Sequence, residues 1–192
     1  MVRIRTKREI ELIAISCQIV SDTLDMLSDH VKAGVKIIDL DKMAEEFIIN
    51  CGARPAFKGY MGFPATLCVS VDDEVVHGIP NDRILKDGQI VGIDCGAEKD
   101  GYFGDHARTF SVGKITNDKQ KLMDITHKSL MLGIAEARPD NYVSDIGYAI
   151  QSYVEKYGYL DSPEGSKEHQ HRRKEGAGWC SKPQRWGWVS TN

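Results

Sequence analysis

Two aspartates, Asp94 and Asp105, stand in the segment QIVGIDCGAEKDGYFGDHARTF, and their setting gives them chemical interest. Alternation along its first half puts Val91, Ile93 and Cys95 on one strand face and Gly92, Asp94 and Gly96 on the other. A turn at Lys99, Asp100 and Gly101 closes a hairpin in one of two registers, with Asp94 either opposite Asp105 or diagonal to it. Either register leaves both carboxylates on one face, where like charges drive a proton back on unless a cation sits between them. A divalent metal suits that arrangement, and Gly92, Gly96 and Gly104 leave room for an ion or ligand near the backbone. The same residues also fit a plainer role, with Asp105 capping a turn and Asp94 solvated, and spacing by itself does not choose.

Upstream, EVVHGIPNDR puts His77 at the end of a short apolar strand, just before a Gly-Ile-Pro turn. An imidazole there can donate to a reacting carbonyl or a leaving amine, or ligate a metal. A loop histidine satisfied by its neighbours is the alternative. His106, next to Asp105, faces the other way along a regular strand and is discounted as a ligand.

These groups need a frame. A helix is expected from Thr6, an N-cap with Glu9 three residues on, running through Ile10, Ile13, Ile15, Ile19, Leu24 and Leu27. A second is expected to be capped by Asp39, to present Leu40, Met43, Ala44, Phe47 and Ile48 to a core, and to stop at Gly52. A similar pair returns from Thr116, carrying Leu122, Ile125, Leu130 and Ile134, and then from a cap at Asp145 to Gly158. Shifting by 106 residues lays Asp39 on Asp145, Phe47 on Tyr153 and Gly52 on Gly158, which reads as an internal repeat. Strand-like sequence follows the first pair, as TLCVSV, QIVGIDCGA and ARTFSVG, but not the second. After Gly158, Leu160 and Val189 are the only members of the Ile, Leu, Val and Met set, and all three tryptophans and the run KEHQHRRKEG fall here.

The chain has 192 residues, 41% hydrophobic and 28% charged, with a formal charge of −3. That is ordinary for one globular domain or a large fragment, and it supplies no global field toward nucleic acid or an anionic membrane. The N-terminus has no secretory apolar region, no apolar run approaches a membrane span, and five scattered cysteines suit buried reduced thiols, so a cytoplasmic location is expected.

Together, FKGYMGFPATLCVSVDDEVVHGIP, GQIVGIDCGAEKDGYFGDHARTFSVG and ARPDNYVSDIGYAIQSY resemble the type I methionine aminopeptidase family over about residues 3–159, with the blocks in family order. The resemblance implies an α+β pita-bread fold of two pseudo-symmetric halves. It implies removal of the N-terminal methionine from nascent polypeptides by dinuclear-metal hydrolysis, with two divalent ions drawn from Co, Mn, Fe or Zn. By the same resemblance Asp94 and Asp105 are metal ligands, His77 contacts substrate as a catalytic residue, and Tyr60, Phe63 and Cys68 line the methionine pocket. Nascent-chain N-termini, with the ribosome, are the implied partners; neither membrane nor nucleic acid is expected.

The sequence departs from the family in two ways. Met61 stands where many relatives carry histidine, which removes a polar pocket contact. The family's remaining ligands, a histidine in a Gly-His-Gly-Ile-Gly block and two later glutamates, have no counterpart here. Residues 1–158 are therefore expected to form a partial pita-bread metallopeptidase domain, with the second sheet largely missing. Residues 159–192 are expected to be an unrelated, disordered tail, whether from a frameshift, a damaged reading frame, a gene-model error or a real variant, which leaves the chain inactive and a weak metal binder. The competing reading is a non-enzymatic pita-bread module that binds peptide N-termini or ribosome-associated partners. His169 lies near the missing histidine's position but without its glycines, and His169, His171 and Cys180 lack a convincing fourth zinc ligand. The basic run His171, Arg172, Arg173 and Lys174 reads as solvated rather than as a nucleic-acid contact.

Overall fold

A computed structural model describes residues 4–159, which fall into two units, residues 4–116 and 117–159. The expectations for the tail, including His169, His171, Cys180 and the domain boundary's far side, lie outside the described residues.

The first unit opens with helix α1 (Lys7–Ser28), begun by a capping box. The Thr6 hydroxyl accepts from Glu9 N at 3.3 Å while the Glu9 carboxylate accepts from Thr6 N at 2.8 Å. Its buried stripe is Ser16, Cys17, Ile19, Val20, Thr23, Leu24 and Leu27. Ile10 and Ile15, through which the helix was expected to run, lie off that stripe and are exposed.

Helix α2 (Ile37–Asn50) starts two residues before the expected cap, Asp39. Lys36, the actual N-cap, offers no side-chain acceptor. The free donors of the first turn are met instead by a distant loop, Ile37 N giving to Arg83 O at 3.0 Å and Ile38 N to Asn81 O at 2.9 Å. At the far end Gly52 takes φ 68°, Ala53 N reaches Ile48 O and Gly52 N reaches Ile49 O, so the helix closes on the predicted glycine in a Schellman motif.

Four antiparallel strands follow: β1 (Arg54–Pro55), β2 (Leu67–Val71), β3 (Ile90–Lys99) and β4 (Tyr102–Ser111). Strand β3 is central, pairing with β1 and β2 along one edge and with β4 along the other. Asp100 and Gly101 join β3 to β4, both with positive φ (53° and 83°), the two-residue turn that the strands' twist favours. Asp41, only 5% exposed, fixes the start of β2 by accepting from Thr66 N at 2.9 Å and Leu67 N at 2.8 Å. One sheet face supplies Leu67, Val69, Val91, Ile93, Cys95 and Ala97 to the core with Leu24, Leu40 and Ile48 from the helices. The expected strand at Glu74–Val76 is absent: these residues form a loop, and Val75 and Val76 are 80% and 65% exposed. Cys17, Cys68 and Cys95 are buried, Cys51 is half-buried, and all four are free thiols.

The second unit is the hairpin of α3 (Asn117–Glu136) and α4 (Val143–Glu155). Asp145 again acts from the first turn rather than as the cap, its carboxylate accepting from Tyr142 N at 2.8 Å. The 106-residue shift holds in detail: Ile37 falls on Val143 at the start of α4, and Gly52 on Gly158, which has φ 77°. Tyr159 N to Val154 O and Gly158 N to Glu155 O repeat the closing bonds of α2. The buried residues of α3, Ile125, Ser129 and Gly133, are the images of Ile19, Thr23 and Leu27 in α1.

Gly104 is where α1 meets β4. A Cβ there would come within 2.5 Å of backbone atoms of Ser16 and Cys17, so no side-chain adjustment relieves it. Gly104→Ala should therefore push α1 off the sheet and cost about 1–3 kcal/mol, the usual range for overpacking. Thermal unfolding would show a loss of several degrees, and an unchanged midpoint would contradict this account of the packing.

Candidate active site

The sheet face turned away from the helices carries the candidate chemistry. In the observed register Asp94 pairs with Ala107 and Asp105 with Gly96, so the two aspartates are diagonal neighbours. Asp94 also pairs on its other side with Cys68. Three of the expected site residues thus share one patch on three adjacent strands, and alternation alone was enough to place the aspartates together. His106 pairs with Cys95 on the opposite face, as strand geometry requires.

Burial raises the pKa of both carboxyls, and mutual repulsion pushes Asp94 up further, to about 7. Asp94 Oδ1 is buried with no hydrogen-bond partner, an arrangement that costs free energy unless something positive meets it. The pair fits a divalent cation on that ground. It fits as part of a ligand set, since no cluster of three or more His, Cys, Asp or Glu side chains suited to a metal occurs among the described residues.

The glycines serve differently from the expectation that they leave room for an ion. A Cβ on Gly96 would lie 2.6 Å from the Phe57 ring, and the space at Gly104 is taken by α1 on the other face. Only Gly92 remains open, its nearest outside atom being Ser70 O at 3.7 Å. Phe57, which the sequence reading missed, therefore lies over the strand beside Asp94; a glycine between two charged strand positions was the available signal for it. From Phe57 hangs the turn that holds the pocket aromatics. Tyr60 N donates to Phe57 O at 2.9 Å, and Gly59 N donates to Phe63 O at 2.8 Å. Tyr60 is exposed and Phe63 half-buried, while Met61 is 91% exposed with φ 47°.

His77 lies in the loop between β2 and β3 rather than at a strand end, with a left-handed backbone (φ 60°). The loop folds back on β2, where Val69 N donates to Gly78 O at 2.8 Å; a Cβ on Gly78 would fall 2.0 Å from Val69 O. This brings His77 Nδ1 to 3.9 Å from Cys68 Sγ. Burial, and next the Asp94 and Asp105 charges, push the Cys68 thiol up to about 11. The thiol stays protonated at neutral pH and can donate weakly to Nδ1, the tautomer that leaves Nε2–H directed elsewhere.

Comparison with known proteins shows the family. The profile of metallopeptidase family M24 matches residues 11–179. Methionine aminopeptidase 1 of Bacillus subtilis is 47% identical over 155 residues, covering 81% of this chain and 62% of the relative. Methionine aminopeptidase of Clostridium acetobutylicum is 46% identical over 160 residues, covering 83% and 64%. The crystal structure of methionine aminopeptidase from Rickettsia prowazekii superposes with a TM-score of 0.82 at 39% identity, over 83% of this chain and 64% of that one. Prolidase from Pyrococcus furiosus shares the fold at 23% identity, with a TM-score of 0.74 over 81% of this chain and 45% of that one. The chain thus spans a little under two thirds of the length of the curated relatives it matches, and its fold is the pita-bread fold with the second half partial. The profile match over most of its length, with the carboxylate-bearing hairpin inside it, means that the chain belongs to metallopeptidase family M24.

Proposed function

We propose that this chain carries the first part of a site that removes the N-terminal methionine from polypeptides. The observation that carries the reading is the Asp94–Asp105 pair, with Asp94 Oδ1 buried and unpartnered. The names of the relatives support the same activity. Asp94 and Asp105 would hold the divalent ions that the family implies. Such ions, when bound, supply Lewis acidity and a water that ionises near neutrality. Nε2–H of His77 would donate to the scissile amide or to charge developing on its oxygen. Cys68, Phe63 and Tyr60 would receive the methionine side chain, where sulfur and aromatic contacts suit a thioether, and Phe57 would form the floor beside them.

Residues 159–192 contain no Gly-His-Gly-Ile-Gly block and no counterpart to the family's later glutamates. We therefore propose that the 192-residue chain by itself binds metal weakly and turns over below detection. A module that holds peptide N-termini without cutting them is the second reading, favoured by the absence of a three-ligand cluster among the described residues. Nascent-chain N-termini at the ribosome, in the cytoplasm, complete the proposal; among the described residues no helix is long and apolar enough to cross a membrane.

The decisive assay is methionine release from a Met-Ala-Ser peptide with Mn²⁺, Fe²⁺ or Co²⁺. None is expected from the unmodified chain, while grafting a family-like second half after Gly158 should restore it. In the graft, Asp94→Ala and Asp105→Ala should abolish turnover, and His77→Ala should lower kcat by about 10²–10⁴-fold, the scale of one lost acid or base, with metal retained. Metal-dependent release by the unmodified chain, itself lost in Asp105→Ala, would overturn the proposed inactivity.

The metal-free site also sets a pH dependence. A carboxyl whose folded pKa lies above its unfolded value contributes stability that is complete at acid pH and is lost as pH rises through the folded value. For Asp94 that window runs upward from the ordinary carboxylate range to about 7. Without metal, the chain should lose stability from about pH 4 to pH 7, and Asp94→Asn should flatten that decline and raise the midpoint at pH 8 by a few degrees, or about 1 kcal/mol. An equally steep decline in Asp94→Asn, followed by thermal unfolding in chelator, would show that the pair is not the source.

A further inference from the structure

The loop that bears His77 is fastened at both ends and bare in the middle. At its start, Asp72 accepts from Ile90 N at 3.2 Å, and Glu74 Oε2 accepts from Val71 N at 2.8 Å. At its end, Arg83 O and Asn81 O receive the donors of α2, and Asn81 Oδ1 accepts from Arg83 N at 2.9 Å. Between these anchors Val75 and Val76 are mostly exposed, so no buried apolar side chain holds the span just before His77. The two anchors are joined directly: Arg83 meets Glu74 with both terminal nitrogens, at 2.8 Å to Oε1 and 2.9 Å to Oε2. Its guanidinium is also held flat by Nε to Asn81 Oδ1 at 3.3 Å.

We propose that Glu74 and Arg83 are positioning residues for His77. Their bidentate pair shortens the span from residue 74 to residue 83 and so keeps His77 over Cys68 in a left-handed conformation that a residue with a Cβ leaves when unconstrained. The significance of that position for peptide cleavage rests on the function proposed above; the positioning itself does not. The pair is half-exposed, with side-chain exposures of 48% and 37%, and pairs of that kind add little to global stability. Its removal should therefore be felt at His77 rather than throughout the fold. Glu74→Gln keeps an acceptor for Val71 N while removing the charge, which separates the clamp from the local turn.

The test uses the full 192-residue chain, with Glu74→Gln, Arg83→Gln and the double variant, and Arg83→Lys as a milder second probe. Two readouts apply without turnover: the proton contact between the His77 ring and Cys68 seen by NMR, and hydrogen-exchange protection of the Val69 amide, which donates to Gly78 O. Each single variant should lose the ring contact and about tenfold of the Val69 protection, while Ile93 in the core keeps its own. The double variant should lose no more than either single, because one interaction is removed in all three. Arg83→Lys should fall between them and the parent. Unchanged Val69 protection in Glu74→Gln, or an equal fall at Ile93, would overturn the proposal. In a chain with measurable methionine release, Glu74→Gln should lower kcat with little change in KM. Should the chain grafted with a family-like second half release none, the function reading is what fails, and the NMR and exchange results on the 192-residue chain still decide the clamp.

Discussion

The exposed face of the sheet answers to one constraint: two carboxylates are held side by side where water does not fully solvate either. Among the described residues no arginine or lysine forms an ion pair with either carboxylate, and Asp94 Oδ1 is left without a donor. Such a site is costly when empty and receptive to cations. The neighbouring parts of the unit can be understood as what holds that cost in place. Helix α1 lies so close behind β4 that only glycine fits at position 104, and Asp41 pins the first residues of β2 from behind. With the back of the sheet fixed by Leu24, Leu40, Ile93 and Cys95, the two charges cannot move apart by bending the strands.

What was legible in the sequence follows from which interactions are local. The hairpin could be read because alternation and the Asp100-Gly101 turn are properties of adjacent residues, and the start of α1 because Thr6 and Glu9 cap it within one turn. The start of α2 was misplaced because its donors are met by carbonyls more than forty positions away in the chain, while Asp39 imitates a cap. Val75 and Val76 read as strand by propensity, yet they lie exposed in a loop and pack on no core that would draw them into the sheet. Gly96 was read as leaving room for an ion or ligand, whereas the ring of Phe57 takes that space, a contact from a distant segment whose identity no local pattern announces.

The repeat shows how much of a fold is carried by helix ends. Over 106 residues the side chains of the two helix pairs have diverged, so that Leu27 has become Gly133, but α2 and α4 start at matching positions and close with the same backbone bonds. Those ends are fixed by backbone donors and acceptors whose demands do not depend on which side chain is present. Packing residues can be exchanged in compensating sets, whereas an uncapped helix end has no comparable substitute.

The dual use of the loop before β3 bears on how such a protein can change. Its tip presents His77, and its last residues finish α2, so one stretch of backbone belongs to the candidate site and to the scaffold together. A loop of this kind is not a removable cassette. Residues that vary freely must lie in the short exposed stretch around Val75 and Val76, and any transplant that alters the spacing from there to Asn81 would unravel a helix on the opposite side of the sheet. Variation at this face is thereby steered away from this loop and toward the turn at Tyr60–Gly62, whose backbone bonds close on the turn itself.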